Sequence, residues 1–228
     1  MNRNIFETTL AEDRQGLTKG LKQPFLIIEN ALVSDFAEQL HDSLMGSDAW
    51  QKSDPSSFTA KERAMIPEGY SFSREIINLN SEDLPVTARH LYEQLNSEEC
   101  LHWFSKVCGR RCDEFTGACA RYYGGNHLTS HNDYYMKKQA DNSVATRALT
   151  FNYYLTKNWD SEWGGNFVWE HPRMEIIPSF NTLVLFPVGT DSMHHVEQVS
   201  ASATEPRLAF TGWFMTNRKP GERTLNIS

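Results

Sequence analysis

Long apolar runs are missing from this chain. No stretch approaches the roughly 18 consecutive apolar residues that read as a membrane-spanning helix. The first 23 residues mix acids and bases without an apolar centre, which predicts no secretory leader and a cytoplasmic address. A basic excess is missing too: 22 Lys and Arg stand against 29 Asp and Glu, a net charge of −7. That is the wrong sign for a general nucleic-acid binder, so neither nucleic acid nor membrane is expected as a partner. Cysteine is scarce, with Cys100, Cys108, Cys112 and Cys119 the only four. No second pair at zinc spacing follows Cys108-x3-Cys112, so ordinary reduced thiols are expected. Internal repeats and low-complexity tracts are absent. What the chain does have is aromatic residues: 13 Phe, 6 Trp and 8 Tyr in 228 residues. Disordered chains are poor in these, so the mean hydropathy of −0.54 describes a soluble folded protein rather than an unfolded one.

Two textures divide the sequence. Pro24-Phe25-Leu26-Ile27-Ile28 reads as a strand. Ser34 reads as the cap of a helix carrying Phe36, Leu40 and Leu44 at i+4 spacing, with Gly46 as its stop. A second helix reads from Pro85 with Ala88, Leu91 and Leu95 on one face, and a third follows the cap Ser97 with Leu101, Phe104 and Val107 inward. Residues 47–82 are polar and read as a flap. After residue 113, short strand-like runs succeed one another at 115–123, 147–155, 166–170, 174–177, 182–186, 194–199 and 207–216. Gly-Gly and Pro turn signals separate them, the pattern of a sandwich, jelly roll or barrel. The expectation is a single domain over 1–228. Residues 1–112 would give helical support, 113–216 a mainly β core and 217–228 a tail.

His131-Asn132-Asp133 carries the strongest chemical signal. Residues i and i+2 of a strand share a face, so a His and an Asp so placed can hold one metal ion. A third ligand must come from elsewhere, with His171, His194 and His195 as candidates. Two His and one carboxylate form the facial triad of non-haem Fe(II) oxygenases. Arg207 then stands in an otherwise apolar strand, where burying it demands an anionic partner such as a dicarboxylate.

The ordered set Arg121-Tyr122, His131-x-Asp133, Thr150-Phe-Asn-Tyr-Tyr154-Leu155, Gly164-Gly165, Leu185-Phe186-Pro187, His194-x-Val196, Arg207 and Gly212-Trp213-Phe214 resembles the 2-oxoglutarate/Fe(II)-dependent dioxygenase superfamily, and within it the prolyl-hydroxylase-like branch. The resemblance spans about residues 113–216. It implies a double-stranded β-helix (jelly roll) buttressed by the N-terminal helices. It also implies Fe(II), 2-oxoglutarate and O2 as cofactors and cosubstrates, with ascorbate as a candidate addition. His131, Asp133 and His194 match the iron ligands, His194 being preferred to His195 by the His-x-Val pattern. Arg207 matches the residue that binds the distal carboxylate of 2-oxoglutarate, Tyr154 the tyrosine beside it, and Tyr122 a tyrosine lining the same pocket. Thr211 and Trp213, at even spacing from Arg207, share its face and would line the pocket.

The implied activity is hydroxylation of an unactivated C–H bond, with succinate and CO2 as coproducts. Asp133 is present where related halogenases carry a small residue, which favours hydroxylation over halogenation; desaturation or ring formation stays open. The substrate expected is an amino-acid residue in a peptide or protein, and the alternative is a free amino acid or other small molecule. A cupin-type metalloenzyme that does not use 2-oxoglutarate and a non-catalytic jelly-roll binding module remain competing readings. Plainer roles attach to several residues: His127 and His171 as solvated or structural, Tyr134, Tyr153, Trp159 and Trp163 as packing, Lys137-Lys138 as a solvated face, and Gly164-Gly165 as a turn.

Overall fold

Two-residue alternation along the strands sets the architecture, because it gives one sheet an apolar face for helices and a mixed face for a cavity. The computed structural model describes residues 6, 25–64 and 66–218. Twelve strands are present among the described residues: β1 (Leu26–Glu29), β2 (Gln51–Ser53), β3 (Phe72–Asn78), β4 (Glu114–Tyr122), β5 (His127–His131), β6 (Met136–Lys138), β7 (Val144–Tyr154), β8 (Phe167–Glu170), β9 (Arg173–Ile176), β10 (Thr182–Pro187), β11 (His194–Val196) and β12 (Arg207–Arg218). Helices are α1 (Ser34–Met45), α2 (Ala60–Arg63), α3 (Val86–Leu95) and α4 (Glu98–Cys108). The strand order is β1-β10-β7-β12-β4-β3-β5-β11-β8-β9, with β2 on β3 and β6 on β7. Every pairing is antiparallel.

The sheet turns its corner at β3. Glu75–Asn78 pair with β4, whereas Phe72 and Ser73 pair with β5. Everything before the corner forms a large half and β5, β11, β8 and β9 a small half. Inner-face residues of the two halves pack on each other: Phe167, Trp169 and Ile176 meet Tyr154, Val184, Phe186 and Ala209. This is the curled, mainly β architecture expected of a double-stranded β-helix.

On the outer face of the large half lie Leu149, Phe151 and Tyr153 of β7, Leu183 and Leu185 of β10, and Leu208, Phe210 and Phe214 of β12. Against them pack Ala37, Leu40 and Leu44 of α1, Ala88, Leu91 and Leu95 of α3, and Phe104 and Val107 of α4. Phe104 stacks on Phe214 with ring centroids 4.2 Å apart and meets Phe151 edge-on at 6.0 Å. Phe104→Ala is therefore expected to cost about 3–5 kcal/mol. For a chain of this size that is a fall in melting temperature of roughly 6–20 °C, read by thermal denaturation followed by circular dichroism. No helix among the described residues is long and apolar enough to cross a membrane.

Several expectations are corrected. Ser34 is the first residue of α1 rather than its cap; Val33, at φ −52° and ψ 128°, is the capping residue, and its carbonyl accepts from the amides of Phe36 and Ala37. Residues 47–82 are not a flap throughout, since β2, α2 and β3 lie there and β3 is central to the sheet. Its inward positions include Arg74 and Asn78, which line a cavity rather than an apolar core, so its pattern does not advertise a strand. The run expected over 194–199 ends as a strand at Val196, and those expected over 147–155 and 207–216 extend to Val144–Tyr154 and Arg207–Arg218. The polar lead of residues 1–23, apart from Phe6, and the tail, apart from Asn217 and Arg218, lie outside the described residues.

Candidate active site

His131 ends β5 and His194 opens β11, and the two are direct cross-strand partners. Their ring centroids are 4.2 Å apart. Asp133 Oδ1 lies 3.5 Å from His131 Nε2, and Asp133 Oδ2 lies 3.5 Å from His194 Nε2. One donor atom from each of the three fits within 4.8 Å of the others. Asp133 arrives differently from the expected strand alternation. The strand stops at His131, and Asp133 takes φ 60°, so a left-handed turn swings its carboxylate back toward the histidines. Asp tolerates that conformation better than most residues.

Both imidazoles are oriented through their other nitrogen. His131 Nδ1 is 2.9 Å from the Thr129 carbonyl and His194 Nδ1 is 2.7 Å from the Ser192 carbonyl. A carbonyl only accepts, so Nδ1 carries the proton in each ring and Nε2 presents its lone pair to the cluster. Phe167 and Phe186 wall His194 with centroids at 5.1 and 4.9 Å. This burial, reinforced by the nearby His131 charge, lowers the His194 pKa to about 4 and keeps it neutral at pH 7. For Asp133, burial pushes the pKa up, but its contacts with His131 and His194 and the Arg147 charge outweigh it. The carboxyl stays below the usual range and ionised. Thr150 Oγ1 donates to Asp133 Oδ2 at 3.2 Å. The other histidines point elsewhere: His195 Nδ1 meets Glu170 Oε1 at 2.8 Å, His127 Nε2 meets Ser71 Oγ at 2.9 Å, and His171 is exposed in a turn.

A cavity of about 870 Å³ opens beside this cluster. Arg207, which also lines it, is only 3% exposed. Its Nε donates to the Gly165 carbonyl at 2.7 Å, and its Cζ lies 5.0 Å from the rings of both Tyr122 and Tyr154. No carboxylate among the described residues pairs with it. The Tyr154 hydroxyl is sealed from solvent and has no hydrogen-bond partner among them. Burial, opposed by the Arg207 charge, pushes its pKa up to about 12, so it remains a donor at neutral pH. Gly164-Gly165 proves to be the seat of Arg207. Both glycines have positive φ, 63° and 67°, and a Cβ on Gly165 would come within 3.3 Å of Arg207 Cδ. Thr211 and Trp213 line the same cavity; Thr211 donates to Asn152, and Trp213 packs under Arg147 with the guanidinium 3.5 Å from its ring.

Sequence comparison adds an independent line. The family model described as the 2OG-Fe(II) oxygenase superfamily matches residues 117–215, which contain the whole cluster and Arg207. Over those residues, less than half of its length, the chain is similar to this superfamily. The chain is 29% identical over 204 residues to prolyl 3-hydroxylase OGFOD1 of Mus musculus, covering 84% of this chain and 33% of that one. It is 31% identical over 117 residues to prolyl 3,4-dihydroxylase OGFOD1 of Ostreococcus tauri, covering 45% of this chain and 21% of that one. It thus spans about a third or less of the length of these relatives. Among solved structures, a Pseudomonas putida prolyl-4-hydroxylase superposes with TM-score 0.66 at 18% identity, over 92% of this chain and all of that one. A prolyl hydroxylase from Trichoplax adhaerens, in complex with a hypoxia inducible factor oxygen degradation domain peptide fragment, superposes with TM-score 0.56 at 24% identity, over 85% and 84%. These likenesses carry the double-stranded β-helix fold.

The cofactor set of the superfamily fits what this site presents. Two imidazole nitrogens and one carboxylate suit Fe(II) with positions left open. A buried guanidinium without a carboxylate, next to an orphaned phenol, suits the distal end of 2-oxoglutarate. Sequence reasoning missed three cavity residues: Tyr70, Arg74 and Arg147. Arg147 had a visible signal, since it stands in an apolar strand as Arg207 does. Tyr70 and Arg74 lie in the polar segment that gave no pattern.

Proposed function

We propose that this oxygenase hydroxylates a prolyl residue of a peptide or protein, converting 2-oxoglutarate and O2 to succinate and CO2. The observation that carries the reading is that a two-His, one-Asp cluster and a buried Arg–Tyr pair without a carboxylate line one cavity. The prolyl hydroxylases among its relatives support proline as the target. His131, Asp133 and His194 would hold Fe(II). Arg207 and Tyr154 would take the distal carboxylate of 2-oxoglutarate, with Tyr122, Thr211 and Trp213 lining its bed. Bound there, the iron supplies the redox chemistry by which oxidative decarboxylation of 2-oxoglutarate is coupled to insertion of oxygen into a C–H bond. The protein contributes geometry. The Nδ1 hydrogen bonds fix both imidazoles, Arg147 and Thr150 steady the Asp133 carboxylate, and Phe167, Phe186 and Tyr154 keep water from the inner wall. The four free thiols suit a reducing compartment, in keeping with a cytoplasmic address.

Two measurements test the reading. Under anaerobic conditions Fe(II) plus 2-oxoglutarate should give a weak visible charge-transfer band. In air, a screen of proline-containing peptides should yield succinate and a peptide product 16 Da heavier, one oxygen atom. No band, or no peptide-dependent succinate, overturns it.

A further inference from the structure

Like Arg207, Arg74 is a cation in the cavity that makes no ion-pair contact with a carboxylate among the described residues. It sits at the corner of the sheet, between the β3 residues that pair with β4 and those that pair with β5. The register that sets Glu75 against Arg121 sets Arg74 against Tyr122, and Tyr122 is in turn the partner of Arg207 on β12. Three adjacent strands therefore present Arg74, Tyr122 and Arg207 in one row, a phenol between two guanidinium groups. Arg74 Nη1 donates to the Tyr122 hydroxyl at 3.0 Å, and its Cζ lies 6.0 Å over the Phe72 ring. Its Nε is sealed from solvent with no partner, and no carboxylate among the described residues pairs with it. One hydrogen bond to a neutral phenol leaves most of its five donors unused, and the Asp133 charge favours the guanidinium only from a distance, without an ion-pair contact. The side chain lies on the metal-cluster side of Tyr122: Tyr70, also in the cavity, stands 5.9 Å from the His131 ring and 5.6 Å from the Phe72 ring.

Under the proposed function, both carboxylates of 2-oxoglutarate already have places, one at the metal cluster and one at Arg207. Arg74 is left over. We propose that Arg74 is a specificity residue that binds a carboxylate of the prime substrate, one carried within a residue or so of the carbon that is hydroxylated. This inference rests on the prolyl-hydroxylase reading and names a property of its substrate. Such a carboxylate can come from an acidic side chain next to the target proline, from a C-terminal proline, or from free proline itself. A guanidinium takes all three by the same two-pronged hydrogen bonding.

The experiment uses three matched pairs of substrates: a peptide with Pro-Asp against Pro-Asn, a peptide ending in proline against its C-terminal amide, and L-proline against L-prolinamide. Succinate release gives kcat/KM for each with the wild type, Arg74→Gln and Arg74→Lys. Glutamine keeps a donor for Tyr122 while removing the charge. In at least one pair the wild type should favour the carboxylate by roughly 10- to 100-fold, and that pair identifies the source. Arg74→Gln should bring the ratio close to one, Arg74→Lys should restore part of it, and the dissociation constant for 2-oxoglutarate, read by tryptophan fluorescence, should stay within about twofold of wild type. Turnover of both members of every pair without preference overturns the inference and leaves the hydroxylase reading standing. So does an Arg74→Gln enzyme that keeps the preference, or one whose defect is in 2-oxoglutarate binding. Absence of succinate from every pair, with 2-oxoglutarate bound normally, overturns both.

Discussion

Arg207→Met is expected to weaken 2-oxoglutarate binding by roughly 30-fold to several thousandfold, the 2–5 kcal/mol that follows truncation of one partner in a buried charge pair. Water cannot stand in for the lost guanidinium. Arg207 is 3% exposed and lies between two aromatic rings. The Tyr154 hydroxyl would be left alone with a full carboxylate charge. Methionine is chosen because it fills the same volume, so the Gly165 carbonyl loses its donor without a void opening behind it. The control is a cosubstrate truncated to match: 2-oxovalerate has no distal carboxylate, so it should bind wild type and Arg207→Met alike. A mutant that loses affinity for both acids would show collapse of the pocket rather than loss of an ion pair.

Asp133→Ala is expected to lower Fe(II) affinity by at least about a hundredfold, since loss of a mere supporting residue around a metal costs 10- to 100-fold. Peptide-dependent succinate should then fall below detection. The variant removes the one anionic donor and leaves two imidazoles facing the Arg147 guanidinium, 3.5 Å from the missing oxygen. Metal content after dialysis against Fe(II) reads the effect. A melting curve in the presence of a chelator separates it from unfolding, because the metal-free forms should melt within a few degrees of each other. Retention of stoichiometric iron by Asp133→Ala would remove Asp133 from the proposed ligand set.

The parts of the site readable from sequence are those where chemistry contradicts local pattern. Arg207 amid Leu208, Ala209 and Phe210 is visible because an unpaired cation has no place in an apolar strand. His131, Asp133 and His194 were visible as letters in order. Their geometry was not, because the turn at φ 60° that brings Asp133 back is a backbone choice Asn132-Asp133 permits without announcing. Helices α1, α3 and α4 were legible in their apolar spacing, since each packs only one face on the sheet. β3 was not, because its inner face looks into the cavity and is polar for that reason. Arg74 was lost with it. Gly164-Gly165 was recognised only as a turn; that its carbonyl anchors Arg207 depends on a partner 42 positions away.

The placement of the two binding elements has a mechanical consequence. The histidines belong to β5 and β11 of the small half, whereas Arg207 and Tyr154 belong to β12 and β7 of the large half. A dicarboxylate held at both ends would be a clasp across the curl of the sheet. Its two grips could not be strengthened independently: the ion would tighten the hold on the acid, and the acid would tighten the hold on the ion by the same factor. Filling the site and keeping the barrel shut would then be a single free-energy event.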